Sequence, residues 1–312
     1  MSTASARKTY DGPEVSGGPA PQQVLGELVR LFDLERIEDD IYRGTSPEHR
    51  STRVFGGQVA GQALVAAGRT VPVDRHVHSL HAYFIRAGDP RVPIVYTVDR
   101  VRDGHSFATR RVTAVQHGDA IFTLSASFQL AQPGIEHTTV MPDAPAPETL
   151  APFAERVAGY EERIGPMATG PRPIDVRYVN DPPWVARESA ARAASNQVWM
   201  RADGVLPDDP LLHVCLLAYA SDMTLLDSVL SAHGVAWGLD RVRGASLDHA
   251  MWFHRPFRID DWVLYDCVSP TASGSRGLAT GRFFSRSGEL LATVVQEGLL
   301  HVAGTAGRAA GA

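Results

Sequence analysis

The hydrophobic pattern divides the chain into two similar halves. Each half has an apolar helical segment followed by four stretches of strand-type sequence, which tight turns separate. The first helix is predicted from Gln58 to Gly68, and the second, longer and more apolar, from Leu211 to about Ala232. A helix followed by consecutive strands with short turns is typical of an α+β unit with an antiparallel sheet. The pattern therefore predicts two such units in one chain.

The strands of the two halves also match residue by residue. Phe84 corresponds to Phe253 and Gly118 to Gly288, which are offsets of 169 and 170 residues, and over all four strands the offset stays between 169 and 171. A register that holds over so many strands indicates an internal duplication.

Proline marks the boundary between the halves. Ten of the 21 prolines lie between Pro133 and Pro183, which excludes a central strand or a long helix there. We therefore predict a disordered tail (1–21), a first unit (22–131), a Pro-rich connection (132–172), a second unit (173–303) and a flexible tail (304–312).

Composition narrows the class of protein. The formal net charge of -5 argues against a nucleic-acid partner. The longest apolar stretch, Leu211 to Ala220, is about half the length that spans a bilayer, so no membrane partner is expected. The two cysteines, Cys215 and Cys267, are too few for a disulfide framework and lack metal-ligand spacing. We predict buried thiols in a reducing compartment, the cytoplasm by default.

Asp222 is a carboxylate in a position where the helical pattern predicts core. Its neighbours at helical spacing include Tyr219, Leu225 and Leu226. A buried Asp is rare unless it is paired or functional, and a hydrogen bond to local backbone is the alternative explanation. Asp227 points away from this apolar stripe and is predicted to be a solvated surface charge.

Gln296 is a second polar residue on a predicted core face. It shares a strand face with Ala292 and Val294 in a run that is apolar on both sides. A buried amide without partners costs about 1–3 kcal/mol, so it serves either structure or function. Ser246, at a predicted strand start, carries no signal of its own.

Five blocks of this sequence, spread over both halves, form a recognisable set: residues 54–64 (VFGGQVAGQAL), 78–89 (HSLHAYFIRAGD), 102–111 (RDGHSFATRR), 247–257 (LDHAMWFHRPF) and 294–298 (VVQEG). Together they resemble the type II acyl-CoA thioesterases. The resemblance implies a double-hotdog fold, in which two antiparallel sheets each wrap around a central helix in one chain. It also implies hydrolysis of medium- to long-chain fatty acyl-CoA without metal or organic cofactor, in a homodimer or higher homo-oligomer.

The resemblance also implies the site. Relatives hold the attacking water with an Asp, a Thr or Ser and a Gln, and the matching positions are Asp222, Ser246 and Gln296. Water held near the thioester carbonyl suits this set, although attack by Asp222 through an anhydride stays open. Gly57 and Gln58 open the first helix, whose N–H groups suit an oxyanion, so we predict that they bind substrate. Glycine needed for close packing is the alternative.

Two rival functions remain. An enoyl-CoA hydratase of the same fold usually has a His a few residues from its Asp on one helix, whereas the nearest His downstream of Asp222 is His233. A non-catalytic acyl-CoA-binding protein would keep the fold without the chemistry. A Ser–His–Asp hydrolase is not expected, because the sequence contains no Gly-x-Ser-x-Gly elbow.

Overall fold

The helices and strands follow the predicted order in each half. The computed structural model describes residues 19–47, 52–164, 168, 170–189, 192–238 and 242–302, so most of the predicted tails (1–18 and 304–312) lies outside the described residues. The helices are α1 (Pro21–Phe32), α2 (Gly56–Gly68), α3 (Phe153–Arg156), α4 (Glu161–Ile164), α5 (Pro183–Ala186), α6 (Pro210–Ser221) and α7 (Asp227–His233). None of these described helices combines the length and apolar character needed to cross a membrane.

The strands form one antiparallel sheet that runs through both halves. They are β1 (Glu35–Glu38), β2 (Ile41–Gly44), β3 (Arg75–Phe84), β4 (Ile94–Asp103), β5 (Phe107–Gln116), β6 (Asp119–Leu130), β7 (Ile174–Tyr178), β8 (Ser195–Ala202), β9 (Val242–Ser246), β10 (Asp248–Phe253), β11 (Val263–Ser273), β12 (Arg276–Ser285) and β13 (Leu290–Val302). The order is β1-β2-β4-β5-β6-β3-β10-β13-β12-β11-β8-β7, with β9 on β13. The order is the same on both sides of the β3–β10 junction, as a duplicated unit requires.

The β3–β10 junction joins equivalent strands of the two halves. Ala250 pairs with His81 and Trp252 with Ser79, in antiparallel register. The rings of His81 and Trp252 meet edge to face with centroids 5.2 Å apart. Because the junction lies at the middle of the sheet, β10 and its neighbour β13 are central strands with partners on both sides.

The helices α2 and α6 pack against each other, and α2 also packs on β4, β5 and β6 of this sheet. Small residues allow the contact: a Cβ added at Gly61 in α2 would meet the carbonyl oxygen of Cys215 in α6 at 3.0 Å. Helix α6 begins with an N-cap, because Asp209 accepts hydrogen bonds from the N–H groups of Leu211 (3.0 Å) and Leu212 (3.4 Å). The N-terminus of α2 comes close to the C-terminus of α6.

The predicted continuous helix from Leu211 to Ala232 is wrong, because the helix breaks between Ser221 and Asp227. The hydroxyl of Tyr265 donates to the carbonyl oxygen of Ser221 at 3.1 Å. The Ser221 hydroxyl donates to the carbonyl oxygen of Ala218 at 2.8 Å, a local bond that competes with the helical ladder. Asp222 therefore stands at the end of α6 instead of inside a helix.

The Pro-rich connection covers the outer face of the sheet in the second half. The indole of Trp199 donates to the carbonyl oxygen of Pro145 at 2.9 Å. A small apolar cluster forms there between the sheet and the connection, and its members are Trp199, Trp262, Leu264 and Phe284 with Met141, Ala144 and Leu150 packed on them. The prolines thus provide an extended covering segment that needs no strand partner.

Candidate active site

The carboxylate of Asp222 binds the N-terminus of α2. It accepts a hydrogen bond from the backbone N–H of Gly57. The residue before that helix, Phe55, provides no side-chain cap of its own. The first N–H groups of a helix need partners and carry a partial positive charge. Asp222 supplies a negatively charged partner from a different element.

Gly56 makes this approach possible. A Cβ at Gly56 would lie 2.6 Å from Oδ2 of Asp222 and 2.8 Å from Cε1 of Phe84. No side chain larger than hydrogen fits between these groups without a shift. The glycine pair of the 54–64 block therefore has a local structural reason: it lets a carboxylate reach the helix.

Asp222, Ser246 and Gln296 form one hydrogen-bonded cluster, hereafter the Asp222 cluster. The hydroxyl of Ser246 donates to Oδ1 of Asp222 at 3.0 Å. The amide nitrogen of Gln296 lies 2.8 Å from the same Oδ1 and 2.7 Å from the Ser246 oxygen. Three residues predicted from separate segments thus come together, because β9 pairs with β13 at the end of α6.

Burial sets the ionisation of this cluster. Burial raises the pKa of Asp222 above its ordinary value, because the charged form loses water. A nearby His249 and hydrogen bonds from Gln296, Ser246 and the Gly57 N–H act in the opposite direction on that pKa. The carboxylate is therefore more basic than a solvated Asp, yet donors stabilise its charged form.

His249 is the part of the site that sequence reasoning missed. It is buried on β10, with Nδ1 2.7 Å from Oε1 of Gln296 and Nε2 2.8 Å from the Ser221 hydroxyl. Burial lowers the pKa of His249, whereas Asp222 raises it. The alternation of β10, which puts His249 on the same face as buried Met251, is the signal that could have identified it.

The two predicted substrate-binding residues lie side by side but face different partners. The Gly57 N–H binds Asp222, and the Gln58 N–H binds the carbonyl oxygen of Phe55 at 3.1 Å. The buried Gln58 amide donates to the carbonyl oxygen of Thr45 (3.0 Å) and to the hydroxyl of Ser46 (2.9 Å). Gly57 thus contacts the Asp222 cluster, while Gln58 holds the neighbouring residues 45–46.

A cavity of about 470 Å³ lies beside this end of α2. Phe55 and Tyr219 line it with rings in edge-to-face contact, 5.0 Å between centroids. Most of its other lining residues are apolar or small, and they include Val24, Leu28, Leu31, Pro47, Val54 and Pro90, with Arg30 and Arg53 among the polar ones. A mostly apolar cavity beside a buried polar cluster is the usual form of a small-molecule site.

Two family models match this chain. One, described as acyl-CoA thioesterase, matches residues 168–299, and the other, the acyl-CoA thioesterase N-terminal domain, matches residues 45–129. Acyl-coenzyme A thioesterase 8 of Homo sapiens is 41% identical over 315 residues, covering 97% of each chain. The chain belongs to the acyl-CoA thioesterase family. Acyl-CoA thioesterase 2 of Haemophilus influenzae is 39% identical over 89% of this chain and 98% of its own.

Solved structures share the fold of this chain. The acyl-CoA thioesterase II TesB2 of Mycobacterium marinum superposes with a TM-score of 0.73 at 46% identity, over 88% of this chain and 98% of its own. A hot dog fold protein of Alicyclobacillus acidocaldarius superposes with a TM-score of 0.74 at 22% identity, over 88% and 98%. The predicted α+β hotdog class is therefore confirmed for this acyl-CoA thioesterase family member.

The duplicated fold of this family member does not repeat His249. With the offset of 169 residues that relates β3 to β10, Leu80 occupies the position equivalent to His249 and is completely buried. The same type of strand position therefore accepts an apolar residue in one half and holds a polar one in the other. A polar residue that the fold does not require points to a role outside folding.

The prediction that Asp227 is a solvated charge is wrong. Asp227 is only 2% exposed, and it accepts hydrogen bonds from the hydroxyl of Tyr178 (2.8 Å) and the indole of Trp237 (3.1 Å). Burial raises the pKa of Asp227 to about 7. The helix break explains the error, because Asp227 begins a new helix and the phase of α6 does not apply to it.

Proposed function

We propose that this protein hydrolyses medium- to long-chain fatty acyl-CoA to free fatty acid and CoA, using water held by Asp222, Ser246 and Gln296. As a family member it is a thioester hydrolase. The observation that carries the residue assignment is the buried Asp222 cluster at the N-terminus of α2. It combines a base of raised pKa with a hydroxyl and an amide that can orient water.

The reaction follows from the chemistry of the cluster. The attacking water donates one hydrogen to the Asp222 carboxylate, while Ser246 and Gln296 hold its position near the thioester carbonyl. Its oxygen bonds to the carbonyl carbon as Asp222 takes the proton. The tetrahedral intermediate then breaks its carbon–sulfur bond. The CoA thiolate leaves and takes the proton from Asp222, so the carboxylate is restored.

The N-terminus of α2 is our candidate for oxyanion stabilisation. Gly57 donates its N–H to Asp222 in the free protein. Once Asp222 is protonated it accepts more weakly, so the Gly57 N–H and the helix dipole become available to the negative oxygen of the intermediate. In this proposal, Gly57 binds the reacting carbonyl, and Gln58 supports the wall of the substrate pocket.

The cavity beside Phe55 and Tyr219 is our candidate for the acyl chain. Its volume of about 470 Å³ is within the range of about 300–1,000 Å³ that is common for small-molecule sites. Phe55 directly precedes the glycines that contact Asp222, and Tyr219 lies three residues before Asp222. A mostly apolar cavity lined by residues so near to Asp222 and its glycines supports a medium to long acyl chain over a short one.

Compartment and assembly are further proposals. Both cysteines are buried and unpaired, which suits a reducing compartment such as the cytoplasm. The outer strands β1 and β7 end the sheet, and unpaired strand edges favour association. We propose a homodimer or higher homo-oligomer in solution, and light scattering on the purified protein gives its mass directly.

Thiol release from a series of saturated acyl-CoAs, short to long, tests the function. We expect the wild type to release CoA and Asp222→Asn to lose at least roughly a hundredfold in kcat, as expected when a general base is removed. Asp227→Asn is the matched control, because Asp227 is also buried but hydrogen-bonds Tyr178 and Trp237 instead of the cluster.

Three outcomes would contradict the proposal. Equal losses in Asp222→Asn and Asp227→Asn would show that any buried Asp in this region matters only for folding. Acyl-CoA binding without thiol release from the wild type would favour a binding protein. Hydration of a 2-enoyl-CoA by the same preparation, without thiol release, would favour the hydratase.

A further inference from the structure

His249 contacts the Asp222 cluster without touching the carboxylate that we propose as the base. Its Nδ1 lies 2.7 Å from Oε1 of Gln296, and its Nε2 lies 2.8 Å from the Ser221 hydroxyl. It is 1% exposed, so solvent neither competes for these bonds nor explains the residue. The water mechanism described above does not use this ring.

The contacts of Gln296 require its amide to have one orientation. Its nitrogen faces Oδ1 of Asp222 (2.8 Å) and the Ser246 oxygen (2.7 Å), and it has one hydrogen for each. The reversed amide would place its carbonyl oxygen against a carboxylate, two acceptors without a hydrogen. The correct orientation leaves Oε1 of Gln296 as an acceptor, so the facing Nδ1 of His249 must carry a hydrogen.

The contacts of Ser221 are compatible with that hydrogen on Nδ1. Its oxygen lies 2.8 Å from Nε2 of His249 and 2.8 Å from the carbonyl oxygen of Ala218. If the Ser221 hydroxyl turns from Ala218 to Nε2 of a neutral ring, the proton of the ring is on Nδ1. In a charged ring Nε2 donates to the hydroxyl, which then donates to Ala218. Nδ1 is a donor to Gln296 in both cases.

We propose that His249 is a positioning residue, which holds the Gln296 amide with its nitrogen toward Asp222 and Ser246, the groups that hold the attacking water. This inference rests on the proposed function of the Asp222 cluster. Without the Nδ1 donor, Oε1 of Gln296 would be buried without a partner, and the amide would turn to find one. Asp222 and Ser246 would then lose an oriented donor, and with it the geometry in which they hold the water.

His249→Leu removes the donor and replaces the ring with an apolar side chain of similar size. The fold accepts Leu at the equivalent position in the first half, where Leu80 is fully buried. We expect kcat for thiol release to fall roughly 10- to 100-fold, by analogy with the loss of hydrogen-bond partners that orient metal ligands. KM should change little, because His249 does not line the cavity.

His249→Asn is the conservative variant. Its amide nitrogen takes the place of Nδ1 and can still donate to Gln296, although the contact with Ser221 is lost. We expect kcat to stay within about threefold of the wild type, since the donor persists. A loss in His249→Asn as large as in His249→Leu would overturn the proposal, because the donor would then be irrelevant.

A double-variant cycle shows whether His249 acts through Gln296. If it does, His249→Leu combined with Gln296→Ala has the same kcat as Gln296→Ala alone, since the amide to be positioned is absent. Losses that multiply in the double variant would contradict a positioning role. A purely structural role also predicts multiplied losses, so the cycle separates the two.

Nitrogen NMR of histidine-labelled wild type provides a test that does not depend on His249→Leu folding. The His249 signal, identified by its absence in His249→Asn, should show a proton on Nδ1. A neutral ring with its proton on Nε2 would overturn the proposal. Asp222→Asn keeps the two inferences distinct: if that variant is as active as the wild type, the function proposed for the cluster fails, whatever His249 does.

Discussion

The carboxylate of Asp222 is held by donors from three different elements. Gly57 of α2, Ser246 of β9 and Gln296 of β13 each donate to it. Burial alone would favour the protonated acid, and these donors favour the ion. At the residue scale, the balance between desolvation and directed hydrogen bonds is what makes this side chain suitable as a base.

Asp227 is more completely buried than Asp222 and has fewer donors, and its effect should appear in stability. Its pKa is raised to about 7 in the folded protein, whereas an unfolded Asp titrates near about 3.9. Between these values the folded protein keeps a proton that the unfolded chain has lost. The free energy of unfolding should therefore decrease as pH rises from 4 to 7, by on the order of 4 kcal/mol from this group.

Urea unfolding of the wild type and Asp227→Asn across this pH range measures that contribution. We expect the difference in unfolding free energy to shift in favour of Asp227→Asn as pH increases, because Asn does not ionise. A difference that stays constant with pH would mean that Asp227 titrates alike in both states.

At the element scale, the contact between the end of α6 and the start of α2 organises the site. It exists because α6 ends at Ser221, where Tyr265 takes the carbonyl oxygen that the next turn would have used. Asp222 then becomes free to cap a helix that lacks a side-chain cap of its own. The carboxylate at the end of α6 thus provides an acceptor for the N–H groups at the start of α2.

Gly56→Ala tests this contact. The added methyl group would lie 2.6 Å from Oδ2 of Asp222, so the carboxylate or the helix must move. We expect kcat for thiol release to fall at least roughly tenfold, since a displacement of about 1 Å in a positioned group can cost up to a hundredfold.

Gly26→Ala is the matched control, because it adds the same methyl group in a helix where the nearest atom would be 3.8 Å away. It should leave kcat unchanged and stabilise α1 by up to about 1 kcal/mol. Similar kcat values for Gly56→Ala and the wild type would contradict the need for close approach.

At the scale of the whole molecule, the cavity depends on segments far apart in sequence. Leu31 of α1, Pro47 and Phe55 line it together with Tyr219 of α6. We expect Leu31→Trp to fill part of the space and to lower the ratio of kcat/KM for palmitoyl-CoA over hexanoyl-CoA by at least roughly tenfold. Each buried methylene contributes about 0.8 kcal/mol, so a few displaced methylenes suffice.

Val73→Trp is the control for that substitution, because Val73 is 96% exposed and lies outside the cavity lining. It should leave the ratio of the two substrates unchanged. An unchanged ratio in Leu31→Trp as well would place the acyl chain elsewhere in the protein.

Much of the fold could be predicted from hydrophobic period and repetition. The offset that relates Phe84 to Phe253 matches the equivalence of β3 and β10, because strands with inward faces must keep their alternation. Asp222 and Gln296 were identified as polar residues on core faces, and both lie in one cluster. Ser246 came from family resemblance alone, since a hydroxyl at a strand terminus has no distinguishing pattern; the predicted strand start is wrong, because Ser246 is the last residue of β9.

The sequence by itself determined the duplication, the succession of helix and strands along each half and the polar residues that the core must accommodate. These properties depend on short-range periodicity and on burial, which a linear pattern records. Only the tertiary structure decided that α6 breaks at Asp222, that Asp227 is buried and that His249 faces Gln296. Those outcomes depend on partners such as Tyr265 and Gly57, which come close only when segments far apart in the sequence pack together. A local sequence pattern does not record which distant segments will be in contact.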